Sequence, residues 1–330
     1  MFYLLSIMSG ILECGWIFIG VLRNMPLWMI LSYPLAYHIG NLFPLPIRLE
    51  KKSLYALASG SAVLAVLNVV VASQVVGFVL DCICLAALST VMQSVRSGMK
   101  SDGNRLIKRI CRVGGFLLAP LSVLVSDAIL IVISVYLIFA LRAIDIDKAG
   151  LAKLTTQHGY SAIMTFHQLH YFLYAHITLA VMSMRMGIVM AALLFCGTWI
   201  TYMSVEPIAQ RFHAKTLPLF FAGHIGVCLV LCLMCVMLYG PMFIPLWLIT
   251  GFGGGVVFTI VRLAEECRCA DKISMTSSEN IGHTCGLLIA VTASAVCQQY
   301  ATQLMLVAAA ASALLAAISM IATLKRGENK

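Results

Sequence analysis

Long apolar runs separated by short polar turns fill the chain from Met1 to near its C-terminus. Each run is close to the roughly 20 residues that a helix needs to cross a bilayer core about 30 Å thick. Helices are favoured because an unpaired backbone amide in hydrocarbon costs several kcal/mol. The pattern predicts an all-α polytopic membrane protein with about twelve spans, at residues 2–22, 26–46, 53–72, 74–95, 106–126, 127–144, 162–182, 186–205, 216–238, 241–263, 279–297 and 300–323.

The composition supports a membrane protein over a soluble one. Hydrophobic residues make up 61% of the chain and charged residues 11%, whereas soluble domains carry about 25% charged residues. The first run has no basic stretch before it and no small-residue cleavage site after it, so we expect a retained span rather than a signal peptide. The longest polar stretch, 145–158, is too short to form the core of a soluble domain.

The distribution of the positive charges predicts the orientation of the chain. The net charge is +9, and under the twelve-span count nearly all cations fall in alternate turns. Because basic residues are retained on the cytoplasmic face, both termini are predicted to be cytoplasmic, in an inner membrane. No basic helix with interleaved aromatic residues is present, so we expect no nucleic-acid partner. The basic residues on the cytoplasmic side are Arg48, Lys51, Lys52, Arg96, Lys100, Arg105, Lys108, Arg109, Lys148, Lys153, Arg211, Lys215, Arg268, Lys272, Lys325, Arg326 and Lys330.

The cysteines and glycines do not indicate a cofactor. Most of the 12 cysteines lie inside apolar runs, where cysteine behaves as a small hydrophobic residue. Cys267 and Cys269 lie in a cytoplasmic turn and should stay reduced. The segment Gly251–Gly255 lies inside a span and lacks the Lys-Ser/Thr pair of a phosphate-binding loop, so it predicts tight packing or flexibility. We therefore expect no cofactor, no metal and no disulfide framework.

The two halves of the chain share a layout. Arg23 and Arg185 end the first and seventh spans, 162 residues apart, and Pro46 and Pro207 open the turns after the second and eighth, 161 residues apart. Six helices per half imply two copies of the same orientation, which places a substrate site near midplane between them. The predicted domains are a six-helix bundle at 1–145, a short cytoplasmic linker at 146–160 and a second six-helix bundle at 161–330.

This layout resembles the major facilitator superfamily, whose members have two six-helix halves. The turn after the eighth span looks like a degraded copy of that family's basic signature: Arg211 and Lys215 match its basic positions, Gln210 replaces the acid and His213 the glycine. The corresponding turn of the first half is more degraded still. The resemblance implies that Arg211 and Lys215 act in gating, and that the first, fourth, seventh and tenth helices line a central cavity.

Each of those four helices carries an ionisable group. A charge at midplane costs roughly 2.5–3.5 kcal/mol even on the permissive insertion scale, so such groups are functional candidates. Glu13 lies in the first span, Asp81 in the fourth and Arg262 at the cytoplasmic end of the tenth. We predict that Glu13 and Asp81 bind substrate or exchange protons, whereas Arg262 is a gating residue or an interfacial anchor.

The seventh span carries a polar face. His167, His170, Tyr171 and Tyr174 follow a spacing of three or four residues, so they can share one side of the helix. Imidazoles titrate near neutrality and tyrosine rings supply flat contact surfaces, which makes this face a candidate for proton coupling or substrate binding. For His38 and His176 we favour hydrogen-bonded structural roles.

The eleventh span has a polar start. Thr276 and Glu279 have the spacing of a capping box. His283 lies one turn further on the same face, and Gly282 with Gly286 permits close helix contact. We expect gating or structural roles for Glu279 and His283.

Together these features predict a secondary active transporter of a small organic solute, coupled to protons, with export favoured over uptake, and not an enzyme. Its expected partners are the solute, protons and membrane lipids. Three alternatives stay open: a ten-helix carrier of the drug/metabolite type, an integral-membrane enzyme that acts on lipid-linked material, and a facilitator-like scaffold without transport.

Overall fold

The computed structural model describes residues 1–42, 49–71, 73–99, 104–144, 158–238, 240–267 and 272–327. Every regular element among them is helical. The elements are α1 (Phe2–Leu22), α2 (Leu27–Leu42), α3 (Lys51–Val70), α4 (Gln74–Gly98), α5 (Arg105–Leu118), a 3₁₀ turn (Ala119–Leu121), α6 (Ser122–Ala143), α7 (His158–Met186), α8 (Ile188–Arg211), α9 (Thr216–Val236), α10 (Phe243–Gly255), α11 (Val257–Glu266), α12 (Lys272–Val296) and α13 (Ala301–Gly327).

These helices form the predicted twelve segments. Helices α10 and α11 belong to one apolar segment, Phe243–Glu266, interrupted at Val256. Within the described residues, eight helical stretches are long and apolar enough to cross a membrane by length and composition. The polytopic all-α fold is confirmed, and the ten-helix alternative is wrong.

The fifth and sixth segments meet at a local break. Val125 has a φ of −144° and a ψ of 38°, so the helix is interrupted there, next to the boundary predicted at residues 126–127. The chain enters this region from α5, which packs along α1 through facing glycines. A Cβ atom on Gly115 would overlap the Ile7 carbonyl and lie 3.0 Å from Gly10 Cα. Only glycine permits this approach.

Cα packing divides the chain into two compact units. The first comprises Met1–Ala152 and Ala180–Ala192. Inside it α1 packs against α2, α5 and α6, while α4 packs against α2 and α3. The α1 residues Leu5, Leu12 and Trp16 are fully buried, so this helix forms the middle of the unit.

The second unit comprises Lys153–Leu179 and Leu193–Lys330. Its helix α9 packs against α10, α11 and α13. The glycine-rich end of α10 packs closely as predicted, since a Cβ atom on Gly253 would lie 2.6 Å from Val227 Cγ2 and one on Gly255 2.6 Å from the Tyr202 carbonyl oxygen.

Two turns repeat between the halves. Asn24 and Gly187, 163 residues apart, follow the first and seventh segments, and both have left-handed backbones, with φ of 50° and 85°. His213 has a φ of 49° at the position where the resembling signature has glycine, a residue that adopts this conformation without steric cost.

One predicted turn is misplaced, and several predicted features lie outside the described residues. Pro207 does not open a turn but lies inside α8, which continues to Arg211. Proline removes one backbone donor of the helix, and membrane helices tolerate this where neighbouring groups satisfy the carbonyl that it frees. Outside the described residues lie Pro46, most of the predicted linker, Cys269, and the basic residues Arg48, Lys100, Lys148, Lys153, Arg268 and Lys330.

Candidate functional site

Glu13 lies in the middle of α1 and forms a buried ion pair. Its side chain is 1% exposed, and one carboxylate oxygen, Oε2, accepts a hydrogen bond from the Arg112 guanidinium on α5. The other oxygen, Oε1, lies 3.6 Å from His38 Nε2 on α2. Three helices of the first unit therefore bring a carboxylate, a guanidinium and an imidazole together.

More polar groups surround this ion pair. The hydroxyls of Ser9 and Tyr37 are 2.5 Å apart, and Tyr37 packs edge-to-face on His38. Arg96 on α4 donates a hydrogen bond of 3.0 Å to the Leu5 carbonyl oxygen and lies within electrostatic range of Glu13 and Arg112. The site thus contains two guanidinium groups and one carboxylate.

Arg112 was missed in the choice of candidate residues, although it lies inside the predicted fifth span. The rule that singled out Glu13, an ionisable residue inside an apolar run, applies to Arg112 equally. His38 was expected to be structural. Its contact with Glu13 adds it to the candidate site.

Asp81 occupies a second polar centre of the first unit. The side-chain amide nitrogen of Asn68 on α3, Nδ2, donates a hydrogen bond of 3.1 Å to Asp81 Oδ1 and one of 3.0 Å to Asp127 Oδ1 on α6. Arg23 lies 4.0 Å from the other Asp81 oxygen. Asn68 therefore bridges two carboxylates with a single amide group.

A cavity of about 380 Å³ adjoins this centre. Arg23, Asn68, Gln74 and Asp127 contribute to its walls, and Asp81 is 2% exposed. Trp16, one turn beyond Glu13 on α1, lies beside the Asp81 carboxylate. Glu13 and Asp81 thus have separate charged partners, although Glu13 belongs to α1 and Asp81 lies beside Trp16 of the same helix.

The second unit contains a cluster of three imidazoles. His167 and His170 on α7 and His224 on α9 are all buried, with ring centroids 5.0 Å apart for His167–His170, 5.1 Å for His167–His224 and 6.2 Å for His170–His224. His167 Nδ1 lies 2.9 Å from His224 Nε2. His224 was not predicted as a candidate. Its position inside the ninth apolar span, where a polar residue is unexpected, could have identified it as a candidate.

The predicted tyrosines extend the α7 face into an aromatic layer. Tyr174 is fully buried, and its ring centroid lies 6.4 Å from that of His170 and 5.7 Å from that of Tyr171. Tyr171 meets Trp199 of α8 edge-on at 6.3 Å, and Trp199 packs on Tyr202 at 5.1 Å. The structure therefore brings together the four polar residues predicted on α7.

Glu279 and His283 on α12 form a network with α7. His283 Nε2 is 3.0 Å from Gln168 Oε1, and Gln168 donates to Glu279 Oε1 at 3.4 Å. The predicted capping box is wrong, because α12 begins at Lys272 and Thr276 therefore lies inside the helix.

The predicted glycine contact on the same helix is confirmed. A Cβ atom on Gly282 would lie 2.6 Å from the Thr165 carbonyl oxygen of α7, and one on Gly286 would lie 2.9 Å from Phe172 Cβ. This close approach lets the ring of His283 stack on Phe172, with centroids 3.9 Å apart.

The remaining basic candidates lie apart from these clusters. Arg211 ends α8 and Lys215 directly precedes α9, and both are exposed. Arg262 is half-buried on α11, where its guanidinium carbon lies 5.1 Å from the Phe258 ring centroid. Their gating roles stay predictions.

Comparisons with known proteins identify the fold. No family model and no curated protein matches the chain. A bacterial homologue of the iron transporter ferroportin, in its inward-facing state, superimposes with a TM-score of 0.64 at 17% identity, over 97% of this chain and 96% of that chain. A bacterial metal transporter gives a TM-score of 0.63 at 16% identity, over 97% of both chains. The nucleoside transporter NupG gives 0.62 at 14% identity, also over 97% of both chains. The chain therefore has the major-facilitator-like fold that these membrane transporters share.

Proposed function

We propose that this chain is a secondary active transporter that moves a small organic solute by alternating access, coupled to protons, with export favoured. The fold that it shares with solved transporters supports a carrier over an enzyme or a scaffold. The single observation that carries the proposal is the Glu13 carboxylate, 1% exposed inside a membrane-spanning helix and paired with Arg112. Buried charges in a membrane protein mark ion or substrate pathways far more often than they stabilise the fold.

The ion pair gives proton coupling a simple physical basis. A buried pair is stable only while both partners keep their charges, because the desolvation of each ion is offset by its attraction to the other. Proton uptake by Glu13 removes this attraction and frees the Arg112 guanidinium. Proton release restores the pair. The Asp81–Asn68–Asp127 centre is a second place where one proton changes the balance of charge, since its two carboxylates share one amide donor.

The same groups favour a substrate with an acidic group. Arg96 and Arg112 carry two positive charges near the single negative charge of Glu13. A guanidinium released from its carboxylate binds a carboxylate or phosphate through paired hydrogen bonds. Proton-dependent exchange of Glu13 for a substrate anion at Arg112 would couple the two movements.

Transport by the full chain in liposomes tests the proposal. Candidate solutes come from an untargeted comparison of solutes retained by cells with and without the chain. We expect uptake that depends on an imposed pH gradient, and its loss in Glu13→Gln and Asp81→Asn while insertion and monodispersity are kept. The exposed Glu265→Gln is the matched control. Wild-type flux in both Glu13→Gln and Asp81→Asn would refute the proton coupling, and no flux of any solute by the wild-type chain would favour the scaffold.

We also propose an inner-membrane location with both termini cytoplasmic, as the charge distribution indicates. Reporter fusions at Lys148 and at the C-terminus should both give cytoplasmic signals. A fusion at Lys148 that reports from the outside would contradict this orientation.

A further inference from the structure

We propose that the start of α5 binds an anionic phospholipid at the membrane surface. Arg109 and Lys108 hold the phosphate of the headgroup, and exposed apolar side chains of the same helix contact the acyl chains. This interaction goes beyond the proposed transport function and does not depend on it. It narrows the expectation that membrane lipids are partners of the chain to one class of lipid and one place on the fold.

Positive charge is concentrated where α4 ends and α5 begins. The sequence from residue 96 to residue 112 contains six basic residues and a single acid, Asp102. A cluster of about four to eight basic residues beside a membrane helix is typical of a segment that binds anionic lipid. Lys108 and Arg109 are half-buried in the first two turns of α5. Lys108 Nζ lies 3.8 Å from the centroid of the Phe2 ring, so its ammonium group is held beside the start of α1.

The surrounding end of the first unit is also basic. Tyr136 of α6 donates a hydrogen bond of 3.1 Å to the Met1 carbonyl oxygen, and Lys51 of α3 donates one of 3.0 Å to the Ile144 carbonyl oxygen. These contacts place the N-terminal amine and Lys51 at the end of the unit where α5 starts. Glu50, which directly precedes α3, is the one acid at this end among the residues of the unit that the structure describes.

The charges at the opposite end of the unit are balanced. There Arg23 lies 4.0 Å from an oxygen of Asp81 and lines the same cavity as Asp127. The attraction of a protein segment to anionic headgroups depends on the net charge within a Debye length, about 8–10 Å. The α5 end therefore suits an anionic headgroup, and the Arg23 end does not.

The apolar residues of α5 favour a lipid over a soluble anion. Leu106 and Ile110 are 54% and 53% exposed, and Leu117 is exposed on the same side of the helix. At a rise of about 1.5 Å per residue, this apolar strip is roughly 16 Å long. Arg109 lies three residues after Leu106 and therefore borders the strip, whereas Lys108 lies on the side that faces α1. A phosphate bound by this pair has apolar surface for its acyl chains directly beside it.

Lipid binding by the purified full chain in detergent tests this proposal without a transport assay. The probes are phosphatidylglycerol, which is anionic, phosphatidylcholine, which is zwitterionic, and glycerol 3-phosphate, which has the phosphate but no acyl chains. Native mass spectrometry counts the bound molecules, and thermal unfolding measures the stabilisation. We expect saturable binding of phosphatidylglycerol, at least about tenfold tighter than that of phosphatidylcholine, with a raised Tm. Equal affinity for the two lipids, or equally tight binding of glycerol 3-phosphate, would overturn the proposal.

Variants locate the site on α5. Each basic residue near an anionic lipid surface contributes about fivefold in affinity, so Lys108→Gln combined with Arg109→Gln should weaken phosphatidylglycerol binding roughly 10- to 30-fold. Arg185→Gln combined with Lys325→Gln removes two exposed charges elsewhere and is the matched control, which should bind like the wild type. An equal loss in both double variants would mean attraction by net charge alone and would overturn the site.

A single substitution keeps the test valid if the double variant folds poorly. Arg109→Gln leaves the contact between Lys108 and Phe2 in place, so the protein should fold, and its affinity for phosphatidylglycerol should fall about fivefold. Arg109→Lys keeps the charge and should bind like the wild type. Wild-type affinity in Arg109→Gln would refute the site.

The outcome is distinguishable from that of the transport assay. A chain that moves solute but binds the two lipids equally disproves the lipid site alone. A chain that selects phosphatidylglycerol but moves no solute disproves the transport proposal alone.

Discussion

Removal of Arg112 should unmask the cost of burying Glu13. In the folded protein the Glu13 side chain is 1% exposed, whereas the Arg112 side chain is 28% exposed. Arg112→Met deletes the guanidinium but keeps a chain of similar length, so the Glu13 carboxylate keeps its burial and loses its ion-pair partner. We expect a destabilisation of about 3–5 kcal/mol, the usual cost of breaking a buried ion pair from one side.

The reverse substitution should be milder. Glu13→Gln leaves the Arg112 guanidinium without its carboxylate, but this side chain is 28% exposed and less deeply buried than Glu13, so we expect a loss of about 1–2 kcal/mol. In the double variant both charges are gone, and the protein should return to within about 1 kcal/mol of the wild type. The two single effects are therefore strongly non-additive.

Thermal unfolding in detergent, monitored by tryptophan fluorescence, measures the relative stability of the wild type, the two single variants and the double variant. Arg112→Met should lower the apparent Tm by more than about 6 °C and the double variant by much less. Because membrane proteins often unfold irreversibly, the four proteins are compared at one scan rate. An Arg112→Met Tm equal to that of the wild type, or a double variant less stable than both singles, would refute a buried charged pair.

Three further substitutions test the packing of the helices and turns. Gly115→Ala should destabilise the protein, because its Cβ would overlap the backbone of α1. Gly114→Ala is the control, since its Cβ would meet nothing within 4 Å, and it should be neutral or stabilising by up to about 1 kcal/mol. Equal yields and Tm values for the two variants would contradict the packing. Asn68→Leu removes the amide between two carboxylates and should cost about 1–3 kcal/mol, and adding Asp127→Asn should restore part of it in the same melting assay. His213→Gly should raise the free energy of unfolding by about 0.5–1 kcal/mol and therefore raise the Tm, because glycine accepts the φ of 49° without steric cost. A lower Tm would count against a strained turn.

The helices could be predicted because their signal is local. Each apolar run must satisfy its own backbone within the bilayer, so its length alone fixes a helix. The first segment was predicted at residues 2–22 and is observed at Phe2–Leu22. The error at Pro207 also comes from a local rule, because proline usually ends a helix, whereas α8 continues past it to Arg211.

The partners of the polar residues could not be predicted, because they depend on which helices are neighbours. Asp81 was identified from α4 alone, but its link to Asp127 runs through Asn68 on a third helix. Asn68 and Asp127 lie near the ends of predicted spans, where polar residues are ordinary. Only the packing of α3, α4 and α6 turns them into one centre.

The pseudo-repeat separates what folding requires from what chemistry requires. The repeated left-handed turns align α1 with α7 at an offset of 163 residues. At this offset His167 and His170 correspond to Leu4 and Ile7, so the imidazole cluster has no counterpart on α1. Folding explains why the turn geometry occurs twice, but it does not explain why histidines replace apolar residues in only one copy. We infer that the two halves have different chemical tasks, since the first holds a paired carboxylate and guanidinium and the second a cluster of buried imidazoles.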